Sequence, residues 1–169
     1  MKSAWIIGAV MTAASAHPVA AEPLWAFPNE LPGGQEVFFA DCGGEEGGEC
    51  VRMSLGCADG VGRFGVADGG ALAARMIETN DLADMAITYT VGAASIAAEA
   101  SGIDLEPNAM DGGWWASFPS HDMQAVFAVI AEQPAAKIGV SVAGESFDLT
   151  PRADGREVLQ DVSAKCARQ

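Results

Sequence analysis

Histidine is nearly absent from this 169-residue chain, which has only His17 and His121. Basic residues are scarce as well, 9 Lys and Arg against 23 Asp and Glu, for a formal net charge of −14. That balance excludes a nucleic-acid-binding face, which needs clustered Lys and Arg to meet phosphates. It disfavours anionic membrane surfaces for the same reason. The motifs C-x-x-C, H-E-x-x-H, G-x-S-x-G and the P-loop are all missing. Gly60-Val61-Gly62-Arg63-Phe64-Gly65 matches a dinucleotide loop only superficially, because it falls in a predicted hairpin with no βαβ context. Ser120-His121-Asp122 holds the residue types of a hydrolase triad, but neighbours on one helical turn point apart. The tripeptide reads as a capped, solvated first turn, and no cofactor is implied.

Apolar residues make up 50% of the chain, and they run to its end, which argues against disorder despite the charge. The length suits one domain. Lys2, the apolar run from Ala4 to Ala14 and the small residues Val19 and Ala21 read as a secretory signal peptide over residues 1–21. A second cleavage position follows Ala16. The run is too short for a membrane anchor, since Ser15, His17 and Pro18 interrupt it, and no later segment is long and apolar enough to span a bilayer. The expected location is periplasmic or secreted. Lys2 is the leader's only formal charge, so its removal deepens the acidic balance.

Export sets the meaning of the four cysteines, Cys42, Cys50, Cys57 and Cys166. In an oxidising compartment an even set forms disulfides by default. Three pairings are open. The favoured one joins Cys42 to Cys50, across a glycine- and glutamate-rich loop flexible enough to close, and Cys57 to Cys166. A loop of about 110 residues closed by the second bridge is worth roughly 4–5 kcal/mol in the chain-entropy model. The cysteine spacings fit a zinc site poorly.

Residues 22–34 carry Pro23, Pro28 and Pro32 and read as an extended proline-rich arm anchored by Trp25 and Phe27. Residues 35–169 read as a single domain. Val51, Met53, Leu55 and Cys57 alternate with Arg52, Ser54 and Gly56, the signature of a half-buried strand with its cysteine facing the core. Strands are also expected over Glu36–Asp41, Arg63–Ala67, Met85–Val91, Ser95–Ala100, Trp114–Phe118, Ile138–Val142 and Ser146–Leu149. Ala71–Glu78 is ambiguous between helix and strand, and Gly102–Gly113 reads as loop. Ser120 reads as the N-cap of a helix whose apolar face is Met123, Val126, Phe127 and Ile130. A final helix bears Val158, Leu159 and Val162 and carries Cys166 near its end. Together these predict an α+β class: a small disulfide-stapled domain of antiparallel hairpins with two or three helices, one after Ser120 and one at the C-terminus.

Two features invite binding roles. Asp41, Glu45, Glu46 and Glu49 are oxygen ligands of the kind Ca²⁺ prefers, but their spacing is not that of a calcium loop, and a solvated, disulfide-closed loop is the stronger reading. Trp114 and Trp115, after Asp111-Gly112-Gly113, point to opposite faces of a strand, so at most one is core. Trp114, Trp115 and Asp111 are thus the candidate binding surface, weighed against both indoles packing under covering elements.

The exported start, the strand ending in Cys57, the stretch Trp115-x-x-Phe118-x-x-x-Asp122, the Phe147-x-Leu149 strand and the helix ending in Cys166 together resemble small secreted proteobacterial envelope domains. These are the invasion-associated-locus-B-like proteins and the VasI-like proteins associated with type VI secretion. The resemblance spans Val51 to Cys166 in layout. It implies a non-enzymatic envelope protein with a Cys57–Cys166 bridge and no catalytic residue. The expected function is that of an exported, non-catalytic binding or accessory protein acting through a protein surface, with basic partners favoured by the charge. The alternatives are a carboxylate-based envelope hydrolase and a purely structural envelope protein.

Overall fold

The computed structural model describes residues 23–41, 51–67, 85–107 and 113–169. Residues 1–21, read above as a leader, therefore lie outside the described residues, as do Cys42, Cys50, Ala71–Glu78 and Asp111.

Alternation of apolar and polar side chains defines most of the strands. They are β1 (Trp25–Leu31), β2 (Gly34–Ala40), β3 (Val51–Ala58), β4 (Val61–Val66) and β5 (Met85–Val91). Then come β6 (Ala94–Ala100), β7 (Asp104–Pro107), β8 (Trp114–Ser120), β9 (Ile138–Val142) and β10 (Glu145–Asp148). Tight turns join the hairpins. Asp59 and Gly60, at φ 52° and 78°, link β3 to β4, the two-residue turn whose left-handed backbone matches strand twist.

The ten strands form one sheet in the order β1-β2-β3-β4-β8-β6-β5-β9-β10, with β7 paired to β8 off this path. Neighbouring strands pair antiparallel throughout. β6 and β7 are two parts of one bent run: the first lies along β5, and the second crosses to β8. Such a switch turns a corner in a sheet. At the far ends the sheet comes round on itself. Leu24 N–H donates to Thr150 O at 3.2 Å, and Arg152 N–H donates to Leu24 O at 2.8 Å, forming a parallel bridge beside β1 and just beyond β10.

The enclosed face is apolar. Register aligns Val37, Leu55, Phe64 and Phe118 across β2, β3, β4 and β8, each fully buried. Ile87, Tyr89 and Val140 approach from β5 and β9. Phe64 stacks with Phe118 at 6.0 Å between ring centroids and meets Phe147 of β10 at 5.5 Å. Tyr89 is buried, its O–H on Met123 Sδ at 3.4 Å, and burial holds its phenol well above the ordinary range.

Two helices follow, α1 (Gln124–Glu132) and α2 (Arg156–Cys166). α1 buries Val126, Phe127 and Ile130, and α2 buries Leu159, Val162 and Cys166. They pack on one another, and α2 lies against β1, β2 and β3. The Cys57–Cys166 disulfide fastens the end of α2 to β3, with Cα atoms 5.6 Å apart and a sequence separation of 109. No helix among the described residues is long and apolar enough to cross a membrane.

The α+β expectation is overturned by this architecture, which among the described residues is a mostly β fold on one ten-stranded sheet with only two short helices, of 9 and 11 residues. Two segments expected to be irregular supply strands. The proline-rich arm contains β1, where Pro28 is tolerated because an edge strand needs no N–H on its open side. The loop after Gly102 contains β7. With those strands added, the hairpins merge into one sheet. Ser120 ends β8 rather than capping a helix; it is fully buried, and its Oγ accepts the Asp122 N–H at 3.4 Å. The N-cap of α1 is Met123, with no side-chain cap bond.

Candidate functional site

β8 is where the sequence expectation and the structure meet most informatively. Strand period places Trp114 on the side of Ala116 and Phe118, and Trp115 on the opposite side with Ser117. Trp114 lies beyond the end of the core and is 51% exposed. On the same face of the hairpin, one diagonal position away, Leu105 of β7 is 39% exposed. These are the exposed large hydrophobic residues among those described.

Trp115 is held down instead. Its ring crosses Gly65 of β4, where an added Cβ would come within 2.8 Å of the indole nitrogen. Its indole N–H donates to Ser117 Oγ at 3.1 Å, and Phe38 meets it edge-on at 6.3 Å. Gly65 is thus the residue that lets one tryptophan lie flat while its neighbour stands out. The reading in which both indoles pack does not hold, and Asp111 lies outside the described residues.

Next to Trp115 a polar group crosses the outer face of the sheet. Asn29 Nδ2 donates to Glu36 Oε1 at 2.8 Å, and the buried Ser54 hydroxyl also bonds Glu36. Burial raises the Glu36 carboxyl above its ordinary 4.5, and these two hydrogen bonds and the Arg63 charge offset part of the rise. Arg63 stands between acids, with Asp104 at 3.6 Å on its other side. Three strands separate β2 from β7 in the sheet order, and Arg63 lies between the two acids.

The remaining sequence candidates are dispersed. Asp41 is exposed and accepts from Arg52 Nε at 3.0 Å; Glu45, Glu46 and Glu49 lie outside the described residues. His121 and Asp122 are exposed while Ser120 is buried, so the triad types do not converge. Among the described residues no three His, Cys, Asp or Glu side chains are grouped to hold a metal. Cys57 and Cys166 are joined as expected. Leu105, Glu36 and Arg63 were not singled out. Glu36 and Arg63 carry a signal, since each is a charged residue at an outward position of an alternating strand.

No family model, curated protein or solved structure matches the chain.

Proposed function

We propose that this chain is an exported, non-catalytic binding or accessory protein of the bacterial cell envelope, acting through the β7–β8 face that carries Leu105 and Trp114. The observation that carries the reading is Trp114, half in water on a strand whose next residue is folded down. An indole kept in water forgoes the free energy its burial would release, and a partner that covers it recovers that energy. The acidic excess favours a basic partner and fast encounter with it. Export rests on Lys2, the apolar run after it and Ala21, and the resemblance in layout to small secreted envelope domains points the same way.

A photo-activatable aromatic side chain in place of Trp114, which keeps a large ring at that position of the full chain, illuminated in intact cells, tests this. The expected result is a discrete protein adduct that disappears with Leu105→Ser and is not formed from exposed Ser141. Absence of an adduct at 114, or equal labelling from 141, overturns the reading.

A further inference from the structure

We infer that the edge of β7 is a docking strand for a basic, extended segment of a partner protein. This rests on the binding reading above and supplies the partner's chemistry. Among the described residues β7 pairs with β8 alone, and all four of its residues are exposed. A strand edge offers backbone N–H and C=O groups to an incoming strand. Asp104 and Glu106 alternate with Leu105 and Pro107, so the acids lie on one face and the apolar residues lie on the other with Trp114.

Charge decides which strand fits. A second copy of this chain would set acid against acid across the pair, and two molecules of formal charge −14 repel at longer range. A strand with Lys or Arg at alternate positions sets opposite charges across from Asp104 and Glu106 and brings its intervening apolar residues beside Leu105. Asp104 is partly neutralised by Arg63 at 3.6 Å, so Glu106 is the acid that discriminates most. The exposed Trp114 ring gives a further basic side chain a face to lie on. Pro107 has no N–H, which confines pairing to a short run and predicts modest affinity.

Residue-resolved amide hydrogen exchange on the folded, leaderless protein tests this with three synthetic peptides: an alternating Lys-Val peptide, the same peptide with central valines replaced by proline, and an alternating Glu-Val peptide. The Lys-Val peptide is expected to slow exchange at β7 amides at least about tenfold, and the other two to leave it unchanged. Glu106→Lys, which keeps the Asp104–Arg63 pair, is expected to weaken Lys-Val binding about fivefold. Equal binding of the proline-bearing peptide overturns the inference, since attraction then needs no strand pairing. So does protection of β7 amides before any peptide is added, because the chain's own backbone then fills the edge. If the Lys-Val peptide fails while the adduct at position 114 persists, the docking strand is wrong and the binding surface stands.

Discussion

Phe147 of β10 rests 5.5 Å from Phe64 of β4, although four other strands lie between theirs in the sheet order. The contact is made across the enclosed face. It shows that the sheet bends far enough to bring its last strand over its middle. Phe147→Ala removes one side of that contact from a partly buried position. The expected cost is about 2–3 kcal/mol, read from the urea midpoint. A change within about 0.5 kcal/mol would mean that β10 adds little to closure.

The Cys57–Cys166 bridge ties α2 to β3 over a separation of 109 residues. Replacing both cysteines by alanine is expected to lower unfolding free energy by about 3–5 kcal/mol, chiefly by freeing the unfolded chain. Unfolding curves of the variant and the parent, both without reductant, measure the difference directly. Equal midpoints would contradict the assignment of this bridge as the main staple.

Glu36 gives the protein a pH signature. Its carboxyl is raised in the folded state, so the native protein holds that proton more tightly than the unfolded chain does. Its contribution to stability is therefore fully present below the ordinary value of 4.5 and is lost as pH rises through the folded pKa. Glu36→Gln keeps an acceptor for Asn29 and removes the buried charge. The variant is expected to be more stable than the parent at neutral pH, with the two converging below about pH 4. Denaturant midpoints at the two pH values check this, and a variant less stable at neutral pH would contradict it.

Much of the sheet was legible along the chain because alternation is a direct imprint of the pleat. Met53, Leu55 and Cys57 are buried as their spacing requires, while Val51, beside a register shift opposite Ala40, is half-buried. β7 was not legible: Asp104-Leu105-Glu106-Pro107 is short, acidic and ends in proline, and only its register with β8 makes it a strand. Pro28 concealed β1 in the same way, because tolerance of proline depends on lying at a sheet edge, a property of the assembled sheet. Ser120 has the chemistry of a helix cap, but pairing with Gly62 and Ala100 claims it for β8. The helices themselves showed through their apolar periodicity. The candidate surface was half legible. Strand period separates Trp114 from Trp115, but which of them stays in water depends on Gly65 of the adjoining strand β4, nearly fifty positions earlier in the chain. That dependence is long-range, and no local pattern carries it.

The most direct test of the central claim compares Trp114→Ala with Trp115→Ala in unfolding and in adduct formation from a photo-activatable aliphatic analogue of leucine at position 105. The two indoles are expected to separate. Trp114→Ala should leave stability within about 0.5 kcal/mol and remove the adduct, because its ring meets water in the free protein and the partner when bound. Trp115→Ala should cost about 2 kcal/mol, because its ring covers Gly65 and packs on Phe38. If Trp114→Ala destabilises the fold as much as Trp115→Ala and the adduct persists, Trp114 is a packing residue and the binding surface lies elsewhere.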